Sequence, residues 1–220
     1  MKDPQKLQRL LAFISPAFPV GGFAWSAGLE LAIAEGDVID AETTRDWLEG
    51  LLHHGGLTTD AILLCEAHRH AADAAYLDEL AELCLALTAA SERQEELRQM
   101  GDAFVRAASA WPLANPVRLP APCPYPVAIG ATASAHGIDL ADAAIAFLTA
   151  QIQAQISVAV RLVPLGQIAG LDILVALEAM IAARAAFATT ATLDDIGTIA
   201  YAADIAQMRH ETLPTRIFRS

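Results

Sequence analysis

The sequence predicts an all-α fold: a single-domain bundle of about ten helices with a flexible basic C-terminal tail. Three observations predict it. Hydrophobic residues make up 55% of the 220, and much of that share is alanine, the strongest helix former. The β-branched and aromatic residues that favour strands are comparatively sparse, with aromatics at 6%. Helix-starting and helix-stopping residues recur along the chain at helix-length intervals.

Residues 7–14 read as a short helix, closed by the turn residues Ser15-Pro16-Ala17-Phe18-Pro19. A second helix is expected over 23–35, ending at Gly36 where a C-cap glycine belongs. Asp40 can N-cap a helix to about residue 54, with Glu42 in its first turn and Gly55-Gly56 ending it. Helices over 59–73 and 75–88 follow. Ser91 with Gln94 is a capping-box pattern opening a helix to about residue 110. The proline-rich segment 111–126 cannot be helical throughout and is the candidate crossover. Beyond it, 127–136 reads as a helix ended by Gly137, and Asp139 caps a long apolar helix to about residue 162. Pro164-Leu165-Gly166 breaks the chain and 170–188 resumes it. Asp194 and Asp195 start the last helix, to about residue 208, where their charge suits the dipole.

A chain of this length can bury a substantial core. Its formal charge of −12 provides no broad basic surface, which argues against nucleic acid as a partner. Cys65, Cys84 and Cys123 are odd in number, widely spaced and without a CxxC pair, so the expectation is buried apolar thiols in a reducing cytosol. The polar N-terminus leads into only a short apolar run, which does not read as a secretory signal. Residues 143–160 carry no charge and approach spanning length. Gln151, Gln153, Gln155 and Ser157 interrupt them, and a central buried helix is the expectation in place of a membrane span.

Histidines are the commonest metal ligands. His53 and His54 are adjacent, and His68 and His70 are two apart, so neither pair has the i,i+4 spacing that a zinc-binding helix uses. They are expected as solvated or capping residues. His136, just before Gly137, is expected as an imidazolium favouring a helix end. No HExxH, triad-like or paired-carboxylate motif is visible. Pro19-Val20-Gly21-Gly22-Phe23 lacks a Walker lysine and a preceding strand, so the glycines read as a tight turn beneath Phe23 and Trp25. The outlier is the end of the chain, MRHETLPTRIFRS, where Arg209, Arg216 and Arg219 stand against Glu211 beside Ile217 and Phe218. Physics alone leaves two readings of it open, a frayed terminus or an interface anchor.

Several segments, in order and spread over nearly the whole chain, resemble the UreF family of urease accessory proteins. Ser15-Pro16-Ala17-Phe18-Pro19-Val20-Gly21-Gly22-Phe23-Ala24-Trp25-Ser26-Ala27-Gly28-Leu29-Glu30 is similar to the family's S-P-x-x-P-x-G-G-[FY]-x-[YF]-S-x-G-L-E. Ala90-Ser91-Glu92-Arg93 with Glu96-Leu97-Arg98 and Gly101, and Arg161-Leu162-Val163-Pro164-Leu165-Gly166-Gln167, carry the middle of the resemblance. Met208-Arg209-His210-Glu211-Thr212 and Arg216-Ile217-Phe218-Arg219-Ser220 carry its end. Trp25 stands for the usual tyrosine and Ala27 for a common histidine. Ile168-Ala169 replaces threonine and an acid, and Leu213-Pro214-Thr215 a Q-Y-S-like stretch.

The resemblance implies a cytoplasmic, all-α, non-catalytic scaffold, with a helical domain over 1–207 and a partner-binding tail over 208–220. It implies binding to UreD (also called UreH), homodimerisation in that complex, and recruitment of the GTPase UreG. That assembly delivers nickel to apo-urease and supports carbamylation of its active-site lysine. Nickel passes through the complex, and no cofactor is expected to stay tightly bound. The tail is implied to order on UreD, with Arg209, His210, Glu211, Arg216, Phe218 and Arg219 at the contact, and Phe23, Trp25, Ser26 and Glu30 as a second group. Two other classes stand beside this expectation: a nickel-binding metallochaperone using His53, His54, His68, His70 or His210, and a small helical enzyme.

Overall fold

The computed structural model describes residues 3–113 and 116–220. Among the described residues there are ten α-helices, two single-turn 3-10 helices and no strand. The helices are α1 (Pro4–Ile14), α2 (Leu29–Glu35), α3 (Ala41–His54), α4 (Gly56–Arg69), α5 (Ala74–Ala86) and α6 (Ser91–Ala108), followed by α7 (Tyr125–Ala135), α8 (Leu140–Leu162), α9 (Gln167–Ala188) and α10 (Tyr201–His210). Of the proline-rich crossover, residues 114 and 115 lie outside the described residues.

Local signals set most boundaries. Asp40 accepts the Thr43 amide at 2.8 Å while Thr43 Oγ1 accepts the Asp40 amide at 3.1 Å, a reciprocal cap on α3. Gly36 takes the left-handed conformation that ends α2. Other boundaries moved. Residues 22–24 make one 3-10 turn, and α2 begins only at Leu29, because Ala27 and Gly28 both have positive φ. Gly56 opens α4 where the glycine pair was expected only to close α3. Ala90, not Ser91, is the N-cap of α6; the Ser91 hydroxyl donates to Glu211 at 2.5 Å, a partner far away in sequence. Asp194 and Asp195 lie in a separate 3-10 turn capped by Thr192, whose amide donates to the Asp195 carboxylate at 2.9 Å, and α10 starts at Tyr201.

The core is built around α4, which is buried continuously over residues 57–67. It packs along α7, itself buried over 125–133, with α3, α5, α8 and α9 against its other sides. Two glycines allow backbones to touch. A Cβ on Gly130 of α7 would lie 2.1 Å from the Leu64 carbonyl of α4, and one on Gly101 of α6 would lie 1.8 Å from the Cys123 carbonyl. Phe13 of α1 seals one end, edge-on to Phe18, Phe104 and Trp111 at ring separations of 5.8, 5.6 and 5.3 Å. By length and composition α8 could cross a membrane. Here it is an element of the bundle, packed against α9, α4, α2, α7, α1 and α3.

Residues 211–220 do not project as a flexible tail. They run back across α2 and α6 and bury Phe218 and Ser220. The three cysteines are buried and free, as expected, and burial pushes Cys65 up to about 11, Cys123 up to about 12 and Cys84 higher still.

Three outcomes follow from this packing. Gly130→Ala should lower stability in urea unfolding by about 2–3 kcal/mol, because its neighbour is backbone and cannot rotate away. Gly50→Ala, in open space on α3, should instead raise it by ~0.5–1 kcal/mol. All three thiols should resist iodoacetamide at pH 8 in the native protein and react fully in denaturant.

Candidate functional site

The sequence motifs converge on one place, the first turn of α2. Gly28, at φ 83°, turns the chain into that helix, and a Cβ there would meet the Gln207 amide nitrogen of α10 at 2.8 Å. The glycine therefore both makes the turn and lets α10 close on it. One residue into the helix, Glu30 is 5% exposed and collects three partners from the end of the chain. Its Oε1 accepts the Ile217 amide at 2.6 Å and its Oε2 the Phe218 amide at 3.0 Å. Oε2 also lies 2.9 Å from His210 Nε2. A carboxylate at the start of a helix is further favoured by the dipole.

His210 is wholly buried, and its other nitrogen, Nδ1, lies 2.7 Å from Glu92 Oε2 on α6. The remaining Glu92 oxygen accepts from Arg216. The first three turns of α6 thus form a rail for the terminal segment. Ser91 holds Glu211, Glu92 holds His210 and Arg216, Glu96 accepts the Ser220 hydroxyl at 3.4 Å, and Gln99 accepts from Arg219 at 2.8 Å. At the rim Arg209 makes a two-pronged contact with Glu35 at 2.9 and 2.5 Å.

Aromatic faces complete the grip. Phe218 enters a small apolar cluster with Leu29, Ala32, Val38, Val158, Ala159 and Val163. Arg161 of α8 lies over its ring at 4.7 Å, with Phe23 6.0 Å away on the same guanidinium. Arg219 lies over Trp25 at 4.6 Å, while its amide donates to the Ala24 carbonyl at 2.8 Å. Ser220 closes the segment: its carbonyl accepts the Ser26 amide at 2.8 Å and the Ser26 hydroxyl.

The ten residues singled out in the sequence are therefore assembled, but mostly facing each other. Trp25, Ser26, Glu30, His210 and Phe218 are buried, whereas Phe23, Arg209, Glu211, Arg216 and Arg219 reach solvent. Glu92, Glu96, Gln99 and Arg161 were missed as functional residues, although the first two and Arg161 sit inside motifs already recognised. Their sequence signal was polar and charged side chains on helices, which read as an ordinary solvated face.

Under this rail Arg93 is buried between Asp60 and Glu96, at 2.6 and 2.7 Å. Burial works against its charge, but the two acids more than compensate and hold it protonated. Burial pushes the Asp60 carboxyl up, opposed by Arg93.

The other histidines are dispersed. His53 and His54 are exposed, His68 bonds the Ile138 carbonyl at 2.8 Å, and His70 stacks on Tyr76 at 4.1 Å. The imidazolium expected at His136 is corrected: the ring is buried beside Phe13, and burial, then Arg9, lowers its pKa and favours the neutral form. Among the described residues no three His, Cys, Asp or Glu side chains gather as a metal-binding group.

Fold and site together define a class: an all-helical protein whose sequence motifs fasten its own terminal segment. A family model described as UreF matches residues 38–178. Over 214 residues the chain is 50% identical to a protein of Agrobacterium fabrum (strain C58) named urease accessory protein UreF, covering 97% of this chain and 96% of that one. It is 47% identical over 219 residues to one of that name from Rhizobium etli (strain CIAT 652), covering 100% and 98%. The chain belongs to the UreF family of urease accessory proteins.

Glu30→Ala is expected to release residues 211–220, costing their docking about 3 kcal/mol as buried donors lose their acceptor. Hydrogen exchange should show protection lost there and at the end of α10, with helical circular dichroism nearly unchanged.

Proposed function

We propose that this chain is a cytoplasmic scaffold of urease maturation, without turnover of its own. In this reading it binds UreD (UreH) through α10 and the docked terminal segment, recruits UreG as a homodimer in the complex, and lets nickel pass to apo-urease without holding it tightly. The observation that carries the reading is an exposed apolar face. Tyr201, Ile205 and Met208 recur at helical spacing on α10 and are 69%, 47% and 42% exposed, with Ile199, two residues before the helix, at 62%. Large apolar side chains in water on one helix face mark a groove-binding or partner-binding surface.

Family membership supports the pathway, and the geometry supports the choice of residues. Phe218 is the anchor within the chain, and it fixes Ile217, its neighbour, outward. Arg216 and Arg209, already on Glu92 and Glu35, remain accessible at the rim for charge-assisted contacts. Beside this face lies a cleft of about 570 Å³ between α3 and α10, lined by Trp47, His54 and Tyr201, wide enough for a partner's side chains. A second apolar surface, with Phe23, Ile168, Leu171 and Val175 exposed by 58%, 70%, 58% and 63%, is available for the second copy and the GTPase.

The test is co-purification with UreD. Tyr201→Asp with Ile205→Asp should weaken binding at least ~100-fold, about 2.7 kcal/mol, without disturbing the docked segment. Undiminished binding would move the contact elsewhere. Truncation after Gln207 should also abolish binding, through loss of the segment that completes the face. Tight, stoichiometric nickel binding by the isolated chain would favour the metallochaperone class instead.

A further inference from the structure

We propose that the cavity enclosed by α1, α6, α7 and α8 binds a small aromatic acid, a single ring of the hydroxybenzoate type, with Tyr125 at its base and Arg161 at its mouth. The inference does not depend on the partner reading above.

The cavity measures about 160 Å³, and its walls are mostly apolar, from Ile14, Val20, Met100, Phe147 and Ala154. Gly22, in the turn before α2, borders it too and adds no side chain to fill it. Size decides the ligand class. An apolar cavity of about 150 Å³ in another protein holds one benzene molecule, whereas drug-sized ligands take roughly 300–1,000 Å³. One aromatic ring fits, and a nucleoside or a fused-ring cofactor does not.

The buried polar group decides what the ring carries at its inner end. Tyr125, the first residue of α7, is 8% exposed, and its hydroxyl has no partner among the described residues. Burial pushes its pKa up, so it stays a neutral O–H that can donate or accept. Trp47 Nε1 and Gln155 Oε1 are sealed in the core without partners. Tyr125 differs from them, because its ring is part of the cavity wall and a ligand can reach it. A buried hydroxyl without a partner is costly, and a ring substituent that exchanges a hydrogen bond with it removes that cost.

Charge selects an acid at the outer end. Arg161 of α8 is the one charged side chain on the lining, and it is exposed beside Phe23. Its guanidinium donates to the Ser157 carbonyl at 3.1 Å, and to the Ser157 hydroxyl and the Phe23 carbonyl at 3.4 Å. Among the described residues it pairs with no acid. A carboxylate on the ring meets a cation without a counter-ion there, while an ammonium meets a like charge. The other polar lining residues, among them Gln151 and Gln153, are neutral and repel neither.

The experiment titrates 4-hydroxybenzoate into the full chain by calorimetry, with 1H–15N spectra locating the site. One-to-one binding with a Kd below about 1 mM is expected, with shifts at Tyr125, Ala154 and Ser157. 4-Hydroxybenzamide, the same shape without the charge, and 4-methylphenol should each bind about threefold more weakly. Tyr125→Phe should weaken 4-hydroxybenzoate ~5–10-fold yet leave benzoate within about twofold, because benzoate makes no bond to the lost hydroxyl. Ala154→Trp, an exposed substitution that fills the mouth, should weaken both at least ~10-fold. It lies outside the core, so the test stands even if Tyr125→Phe loses its fold. No saturable binding, shifts elsewhere on the surface, or an affinity that either folded variant leaves unchanged overturns the site. Binding of 4-methylphenol as tight as that of the acid hands the cavity to a partner's tyrosine side chain and overturns the free acid.

Discussion

Glu30 is the constraint on which the arrangement of the chain ends depends. A single buried carboxylate receives two backbone amides from the terminal segment and faces the imidazole of the preceding helix, which no apolar side chain could do. It must sit within a few ångströms of α10, and the residue that permits this is Gly28, whose missing side chain makes room for the Gln207 backbone. The S-x-G-L-E stretch therefore works as one piece. Ser26 takes the far end of the segment, Gly28 admits α10, Leu29 lines the pocket for Phe218, and Glu30 binds the middle.

This arrangement changes the meaning of the basic tail. Its arginines are not free positive charge on an acidic protein. Arg209 lies on Glu35, Arg216 on Glu92 and Arg219 over Trp25, so each ties the segment to a different point on the body. Exposed pairs of this kind contribute little individually. Here they flank a buried, hydrogen-bonded centre and mainly set the register of a segment that the centre holds. The departures from the family pattern are accommodated in the same way. Trp25 offers Arg219 a broad ring face, and Pro214 falls in an exposed bend before Arg216. Ile168 and Leu171 extend the apolar surface that begins at Phe23. Nothing in the structure explains the choice of alanine at position 27, a non-glycine residue with a φ of 50°.

Helix identity was legible wherever it depended on neighbours a few residues apart. The Asp40 cap, the Gly36 stop and the ends of α1, α8 and α9 were all placed within a few residues of where they lie. Two of the misplacements share a cause: a distant partner prevailed over a local preference. Ser91 has the composition of a cap, but its hydroxyl goes to Glu211, 120 residues away. The stretch from Phe23 to Gly28 has helix-compatible residues, yet it is held partly extended because its backbone bonds Arg219 and Ser220.

The sequence by itself determined that the chain is all helical, where most helices stop, that its cysteines are inert core residues, and, by resemblance, its family. Periodicity, caps and breakers act over one or two turns, so they can be read without the fold. Only the tertiary structure decided that Glu30, Glu92, His210 and Phe218 meet, that the basic end is fastened to the body, and that the apolar face in water belongs to α10. The contacts responsible join residues 118 to 188 positions apart. A buried carboxylate and a solvated one are the same letter until the partner that removes its water is in place.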